Sequence, residues 1–274
     1  MFPQILGDPL AIVREGLGPG RALTGAEQAE LQALFDFYRQ NGGRSDLVQS
    51  DAAFNQAHGA DMRFAYSQTY NKGRLAYVRS SLKKAAGNRC TSCGGSRHDQ
   101  LDHHLPKSNY GEFACFVFNL LPCCGGCNLK KKVYVGATAD TAFVHPFFDA
   151  IPDQPYICVE INHQPNTITF TLSFDDAAPF ADPQIRARMK TQFEEVDVNA
   201  RVESEVIEFA TEQADTIIQE CQGAQRQAIA DHLGRAADRL GRSSGHGSWR
   251  VAVLRAMAAD VVFCDGAYRL IATP

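Results

Sequence analysis

Two cysteine pairs with C-x-x-C spacing constrain this chain of 274 residues more than any other feature of its sequence. Cys90 and Cys93 form the first pair in "CTSC", and Cys124 and Cys127 form the second in "CCGGC". Paired motifs at such a separation are typical of a tetrahedral zinc site, in which four thiolates hold the ion. Cys123 leaves the second pair open, because it could replace Cys124 only by distorting the spacing. The sequence predicts a structural zinc ion here.

The N-terminal sequence and the isolated cysteines indicate the cellular compartment in which the protein is expected to work. The N-terminus "MFPQILGDPLAIVREG" lacks a basic region and a long apolar core, so it does not resemble a signal peptide. No stretch approaches the roughly 18 uninterrupted apolar residues that span a bilayer. We therefore expect a cytoplasmic protein with reduced cysteines and no membrane partner. The isolated cysteines are expected to be small buried side chains: Cys115, Cys158, Cys221 and Cys264.

Positive charge is concentrated around the cysteine pairs. Residues 72–132 contain eleven lysines and arginines and three acidic residues, a net charge of +8 in a chain whose total is −4. Such a segment is typical of a surface that attracts phosphates. For residues 72–89 alone, a solvated helix face explains the charge equally well. The candidates for contact with nucleic acid are Arg79, Lys83, Lys107, Lys130, Lys131 and Lys132.

Hydrophobic periodicity and end signals predict an α+β protein in three regions. Residues 1–68 form a helical region, in which the helix in "LTGAEQAELQALFDFYRQNGG" begins at a threonine cap and ends at a glycine pair. Residues 69–150 hold the motifs, after a helix in "NKGRLAYVRSSLKKAAGNRC" with Gly87 as its C-cap. Residues 151–274 begin with a β-hairpin around "HQPN" and continue as helices, the last near Trp249–Ala259.

The segment between the cysteine pairs contains the groups that phosphodiester hydrolysis requires. Such a reaction needs a base for water and a hard cation at the phosphate, both held rigidly. Asp102 and His103 are adjacent, so in an extended strand they point to opposite sides and serve different partners. A carboxylate suits Mg²⁺ or Mn²⁺, and a histidine with an ordinary pKa of about 6.5 suits the base.

Residues 89–149 resemble the HNH endonuclease family, whose core is a β-hairpin and a helix around a metal, the ββα-metal fold. The resemblance rests on both cysteine pairs, on "DHHLP", on "NLLP", and on C-x-x-C-N followed by lysines. It implies a ββα-metal core with a structural zinc site, flanked by mainly α-helical regions and one extra β-hairpin. The wider wording "LPKS", "FNLLPCCGGCN" and "HPFFD" is also similar to HNH proteins of bacterial anti-phage systems.

The resemblance also implies roles for individual residues. Asp102 is the first ligand of a divalent catalytic metal, Mg²⁺ or Mn²⁺, and His103 is the general base. Asn119 braces the hairpin loop and orients His103. Asn128 takes the position of the last histidine or asparagine as second metal ligand. The four cysteines hold structural Zn²⁺, and Lys130, Lys131 and Lys132 approach the DNA backbone.

Two other histidines leave alternatives open. His104 stands where the family more often has an aliphatic residue, so it either packs against a backbone carbonyl or binds phosphate, and it competes with His103 as base. His145, in "VHPFFD", either reaches the site or is a loop histidine before a proline.

Three functions remain to be compared. The first is a metal-dependent DNA endonuclease, with RNA not excluded, that leaves 3′-hydroxyl and 5′-phosphate ends and is controlled in a defence system by a partner such as a regulatory ATPase. The second is a non-catalytic zinc-stabilised module that binds nucleic acid. The third, a structural adaptor, leaves the basic segment unexplained. Asp102, His103, Asn119 and Asn128 favour the enzyme, because a zinc module has no need of them.

Overall fold

The contacts within the chain divide it into two units, which the computed structural model describes over residues 7–87, 89–95 and 99–273. The first unit comprises residues 1–151 and 182–196, and the second comprises residues 152–181 and 197–274. The predicted regions 1–68 and 69–150 therefore lie together in the first unit. That unit also takes one helix from the predicted region 151–274.

The first unit contains six α-helices, three short 3-10 helices and one small sheet within its described residues. Capping side chains set several helix starts, since a capping oxygen satisfies backbone N–H groups that have no partner inside the helix. The side chain of Thr24 accepts from the N–H of Glu27, whose carboxylate accepts from Thr24 in return, so the predicted helix is confirmed. The helices are α1 (Pro9–Leu17), α2 (Gly25–Gln40), α3 (Ala52–Ser67), α4 (Ala76–Ala85), α5 (Gly125–Lys131) and α6 (Pro183–Glu195).

The sheet pairs β1 (Gln100–His103) with β2 (Leu120–Cys123) in antiparallel register. Asp102 lies opposite Leu121, and His103 lies opposite Leu120. α5 begins two residues after β2, so this part of the chain runs strand, strand, helix. The predicted α+β class is confirmed.

An aromatic cluster fixes the segment 104–119, which connects the two strands. Phe35 of α2 stacks on Phe116 with ring centroids 4.1 Å apart, and Tyr38 meets the edge of Phe113 at 5.0 Å. All four rings are fully buried. Burial of aromatic side chains contributes about 25 cal/mol per Å² of apolar surface, so this cluster anchors the connection on α2.

A buried arginine of α6 binds a neighbouring segment of the first unit. The guanidinium of Arg188 donates to the carbonyls of Ala142 and Phe143 at 2.9 and 2.8 Å. It also makes two bonds to the carboxylate of Asp149, at 2.8 and 2.7 Å. A buried guanidinium needs such partners, because an unpaired charge in the interior is costly. Arg188 thereby holds α6 against the segment 142–149.

The second unit is built on the predicted hairpin, which is confirmed. β3 (Ile157–Gln164) and β4 (Thr167–Phe174) pair antiparallel around a two-residue turn. Alternate residues of β4 are buried: Ile168, Phe170, Leu172 and Phe174. The helices are α7 (Val198–Glu220), α8 (Arg226–Ser244), α9 (Trp249–Ala259) and α10 (Val261–Cys264). Throughout the described residues, no helix combines the length and apolar character that crossing a membrane requires.

Candidate functional site

Four cysteine thiols gather between the start of β1 and the start of α5. The Sγ atoms of Cys90, Cys93, Cys124 and Cys127 all lie within 4.8 Å of one another. Zn²⁺ binds thiolate sulfur at about 2.3 Å in tetrahedral sites, so sulfurs this close could surround one ion. The N–H of Cys124 donates to Cys90 Sγ, and the N–H of Cys127 donates to Cys124 Sγ, each at 3.3 Å. The cluster therefore fits a structural zinc ion.

The ambiguity between Cys123 and Cys124 is decided by geometry. Cys123 lies 4.0 Å from Cys90, but it is outside the set of four thiols that are mutually close. Its own Sγ–H donates to the carbonyl of Cys124 at 3.2 Å. Cys124 caps α5 and keeps the C-x-x-C spacing with Cys127. The geometry favours Cys124 as the ligand.

His103 lies at the end of β1 with its ring buried and in a defined tautomer. Its Nε2 is 2.9 Å from the carbonyl oxygen of Ala114. A carbonyl only accepts, so Nε2 carries the proton and Nδ1 carries the lone pair. Burial lowers the pKa of His103 to about 3, and the nearby charge of Lys107 acts in the same direction. The ring is therefore neutral at pH 7 and able to accept a proton at Nδ1.

Asp102 forms a buried ion pair with Lys131. Lys131 Nζ lies 2.8 Å from Asp102 Oδ2 and donates to the carbonyl of His103 at 2.7 Å. The side chain of Lys131 is only 3% exposed. Burial raises the pKa of the Asp102 carboxyl, while Lys131 acts in the opposite direction. Lys131, which the sequence predicted to approach DNA, thus lies inside the site and neutralises the predicted metal ligand.

Asn119 holds the two ends of the connecting segment together. Its Oδ1 accepts from the N–H of Leu105 at 2.7 Å and from the hydroxyl of Tyr38 at 3.0 Å. Its Nδ2 donates to the carbonyls of Leu105 and Phe113 at 2.9 and 3.2 Å. Ala114, which accepts from the His103 ring, follows Phe113 directly. Asn119 therefore fixes the backbone that orients His103.

Asn128 lies on α5 at the mouth of the site. Its Nδ2 donates to the side-chain oxygen of Gln100, the first residue of β1, at 2.5 Å. This bond ties α5 to the strand that carries Asp102 and His103. Gln100, Asp102, His103 and Asn128 all line one cleft. Gln100 was not singled out from the sequence, and only its place two residues before Asp102 pointed to it.

The cleft has a volume of ≈ 500 Å³ and combines cations, aromatic rings and the candidate catalytic groups. Arg79, Lys107 and Lys132 bring positive charge to its lining, against the two carboxylates of Asp99 and Asp102. Its lining residues are Tyr66, Tyr70, Arg79, Asp99, Gln100, Leu101, Asp102, His103, Pro106, Lys107, Ser108, Asn128, Lys132 and Val133. A cleft of this size holds a small ligand or one nucleotide.

The residues predicted to contact nucleic acid differ in whether they line the cleft. Lys107 and Lys132 are exposed at the cleft, and Arg79 is half-buried there. Lys83 is not among the lining residues, and its Nζ donates to the carbonyl of Asp99 at 2.9 Å. Lys130 is exposed on α5 outside the lining.

Two tyrosines at the end of α3 were missed by the sequence reasoning. The ring of Tyr66 meets the His103 ring at 4.4 Å in a T-shaped contact. Lys107 Nζ lies 4.7 Å from the centroid of the Tyr66 ring. Tyr70 follows after a turn and meets Tyr66 at 5.8 Å, and the guanidinium of Arg79 lies 4.3 Å over its ring. The sequence placed residues 45–68 in a helical region but assigned no individual helix there, because their apolar pattern is weak.

His104 and His145, the two histidines whose roles the sequence left open, are buried. Their rings meet at 4.5 Å, and burial lowers both pKa values, that of His145 to about 3. The Nε2 of His145 donates to the carbonyl of Phe118 at 2.9 Å, and its Nδ1 accepts from the N–H of Phe147 at 3.2 Å. Both ring nitrogens of His145 are thus bound to backbone. Neither His104 nor His145 is among the residues that line the cleft.

Comparison with known proteins gives one partial relative. Over 81 residues the chain is 34% identical to "Protein ea31" of Escherichia phage lambda. The aligned stretch makes up 29% of this chain and 27% of that protein, so the chain spans about a quarter of that relative's length. No family model matches the chain, and no solved structure matches it.

Proposed function

We propose that this chain is a metal-dependent endonuclease of the HNH type that hydrolyses DNA phosphodiester bonds. The observation that carries the proposal is His103: a neutral histidine, held by a backbone carbonyl, in a cleft with Asp102 and Asn128. A histidine with only a structural role does not need a basic cleft beside it. A nuclease needs a histidine that can act as base and a positively charged cleft that binds the substrate phosphates.

His103 has the geometry of a general base for water, although its lowered pKa makes the ring a weak base before substrate binds. Its Nε2 is occupied by the Ala114 carbonyl, which fixes the ring and leaves Nδ1 to accept a proton. Attack of the deprotonated water on phosphorus breaks the bond to the 3′ oxygen, which takes up a proton from solvent water, and His103 releases the proton that it accepted to solvent. The products are a 3′-hydroxyl and a 5′-phosphate. A bound phosphate would raise the basicity of His103, since a nearby negative charge favours the protonated ring.

Asp102 and Asn128 would hold the divalent metal. Both line the cleft, and a carboxylate with an amide oxygen is a donor set that suits Mg²⁺ or Mn²⁺, which keep water and bind substrate phosphate as further ligands. Such an ion would supply Lewis-acid stabilisation of the negative charge that develops on the phosphate and on the leaving oxygen. Lys131 forms an ion pair with the Asp102 carboxylate, so it reduces the net negative charge of this donor set.

The remaining parts position these groups. The four-cysteine cluster ties the segment before β1 to the start of α5, and a structural zinc ion would make that tie rigid. Asn119 fixes the connecting segment from which Ala114 holds His103. Lys107, Lys132 and Arg79 supply positive charge for the backbone phosphates of DNA.

Cleavage of supercoiled plasmid with added Mg²⁺ or Mn²⁺ tests the proposal, with zinc left bound. Wild type is expected to cut, and His103→Ala to lose activity by at least about 100-fold, the usual contribution of a general base. His232→Ala, a histidine of α8 in the second unit, is the matched control and is expected to cut like wild type. Loss of activity in His104→Ala, with full activity in His103→Ala, would transfer the role of base to His104.

A second candidate function is a non-catalytic, zinc-stabilised module that binds nucleic acid. The Asp102–Lys131 ion pair favours it, because a carboxylate neutralised by a buried lysine attracts a divalent cation less strongly. This candidate predicts that wild type and His103→Ala shift DNA equally in a salt-dependent way and that neither cuts. The same plasmid experiment, with a binding assay at two salt concentrations, separates the two functions.

The biological setting is proposed from the resemblance alone. A nuclease of an anti-phage system, regulated by a partner such as an ATPase, would protect cells in a way that depends on His103. Phage infection of cells that carry the complete system, with either wild type or His103→Ala, tests this setting. Equal protection by the two proteins would contradict it.

A further inference from the structure

Tyr70 differs from the other aromatic residues of the cleft in its exposure. Its side chain is 53% exposed, whereas Tyr66 is 4% exposed beneath it. Tyr70 lines the cleft, so its exposed ring offers apolar surface to a ligand bound there, and covering that surface would be favourable. The ring is held in place by the guanidinium of Arg79 at 4.3 Å and by the edge of Tyr66 at 5.8 Å. Tyr70 is therefore an exposed but ordered surface.

Tyr70 is connected to the proposed base through a chain of rings. Tyr66 touches Tyr70 on one side and the His103 ring on the other, at 4.4 Å. The same cleft contains Lys107, whose ammonium lies 4.7 Å from the Tyr66 centroid. An aromatic ring flanked by cations is the arrangement that binds one nucleotide, since the ring stacks on the base and the cations bind its phosphates.

We propose that Tyr70 stacks on an unpaired nucleobase next to the scissile phosphate, so the substrate is DNA that is single-stranded or locally unpaired. This inference rests on the proposed function and names its substrate class. In a duplex, neighbouring bases cover both faces of each base, so only an unstacked base can lie on Tyr70. The cleft of ≈ 500 Å³ accommodates a nucleotide and is too small to enclose a duplex.

Arg79 has a positioning role in this arrangement. Its Nε and Nη2 donate to the carbonyl and hydroxyl of Thr69 at 3.3 and 3.4 Å, which fixes the guanidinium over Tyr70. It lies over the ring at 4.3 Å and leaves more than half of the Tyr70 side chain exposed. The exposed ring surface is then available to a base, and the guanidinium charge strengthens the attraction of the site for the attached phosphate.

Binding of a short single-stranded DNA with one 2-aminopurine tests the proposal separately from catalysis. The protein is the full chain with zinc bound and carries His103→Ala, so the probe stays intact. We expect quenching of 2-aminopurine on binding, and Tyr70→Ala added to this background should abolish the quenching and weaken binding by about 5- to 150-fold. Tyr70→Phe keeps the ring and is expected to bind like its parent.

Two controls make the result specific. Tyr77→Ala removes a tyrosine that is 41% exposed on α4 but does not line the cleft, and it should leave binding unchanged. A duplex of the same sequence should bind Tyr70→Ala and its parent equally. Thermal melting of each variant shows whether it is folded, and Tyr70→Leu, which keeps an apolar side chain but no aromatic ring, gives a second test if Tyr70→Ala is unstable.

The outcomes separate this inference from the proposed function. Equal binding of the single strand by Tyr70→Ala and its parent, or equal weakening for duplex and single strand, would overturn the stacking role. Plasmid cutting by wild type would then still support the nuclease. Conversely, Tyr70-dependent binding in a protein whose wild type cuts no DNA would support the stacking site and contradict the nuclease.

Discussion

Lys131 Nζ lies 2.8 Å from Asp102 Oδ2, and both side chains are buried in the candidate site. The ammonium also donates to the carbonyl of His103, so one lysine touches the proposed metal ligand and the backbone of the proposed base. Two charges taken out of water are stable only together, because each compensates the desolvation of the other. The pair therefore links the end of α5 to β1 and sets the charge at the carboxylate proposed to bind the metal.

Removing either member of this pair should be costly, and removing both should cost less than the sum. Lys131→Met and Asp102→Asn are each expected to lower the free energy of unfolding by about 3–5 kcal/mol, because one charge then stays buried without its partner. The double variant should recover part of that loss. Urea unfolding of the four proteins measures the coupling, and strictly additive losses would show that the two residues do not stabilise one another.

Lys131 should also oppose binding of a divalent metal at Asp102. In Lys131→Met the carboxylate has no competing cation, so Mn²⁺ is expected to bind more tightly than in wild type, by about tenfold or more for a change of 1.4 kcal/mol. Electron paramagnetic resonance of free Mn²⁺ in a titration gives the affinity. Lys130→Met, on the exposed neighbour, is the matched control. Weaker Mn²⁺ binding in Lys131→Met would mean that the lysine supports the metal site.

Asn119 should be needed for the structure of the connecting segment more than its partner Tyr38 is. Asn119→Ala removes the bonds to the N–H and the carbonyl of Leu105, at about 1–3 kcal/mol for each buried polar group, whereas the Phe113 carbonyl keeps its bond from the N–H of Phe116. Tyr38→Phe removes one bond, worth about 1 kcal/mol, and leaves the others intact. Thermal or urea unfolding compares them. A similar loss of stability in both variants would contradict the bracing role of Asn119.

The helices and the second hairpin were accessible from the sequence because their signals are local. The capping residues Thr24 and Glu27 fix the start of α2 within four residues of chain. The hairpin of β3 and β4 follows from alternation on either side of a turn. α3 gave only a weak apolar pattern, because two of the buried positions on the face of Phe54, Met62 and Tyr66 are the small residues Gly59 and Ala65. Tyr66 and Tyr70, the aromatic residues at the end of this helix, were therefore not predicted as part of the cleft.

The burial of Lys131 shows why a run of like charges was misleading. Lys130, Lys131 and Lys132 look equivalent in sequence, but residues four apart share one face of a helix. Lys131 lies four residues after Cys127, which is buried at the four-thiol cluster, and so it faces inward. That spacing was present in the sequence. The partnership of Arg188 with Asp149 had no such signal, since it joins residues 39 apart in the chain.

Zinc binding should distinguish Cys124 from its neighbour Cys123. Cys124→Ser removes one of the four thiols that could hold zinc, so we expect it to reduce the zinc content well below one per chain and to lower the melting temperature. Cys123→Ser should keep its zinc, because Cys123 lies outside the group of mutually close thiols. Metal analysis of the purified variants gives the content. Zinc loss in Cys123→Ser with retention in Cys124→Ser would exchange the two assignments.

The stability of the first unit should depend on pH through Glu112, which is fully buried. Its carboxylate accepts from the N–H of Asp51 at 3.1 Å and from the hydroxyl of Ser50 at 3.2 Å. Burial nevertheless raises the pKa of Glu112 above its ordinary value of 4.5. Between that value and the raised one, the folded protein binds more protons than the unfolded chain, so stability falls as the pH rises through this window.

Glu112→Gln should remove this dependence, because the amide has nearly the same shape and no charge to desolvate. Relative to wild type, we expect the variant to gain stability as the pH rises from 4.5, with a slope of at most about 1.4 kcal/mol per pH unit, and to keep the gain above the window. Urea unfolding between pH 4.5 and 8 measures it. Glu30→Gln, on the exposed face of α2, is the control and should run parallel to wild type. A variant that loses stability relative to wild type as the pH rises would show that hydrogen bonding to the charged carboxylate outweighs its burial.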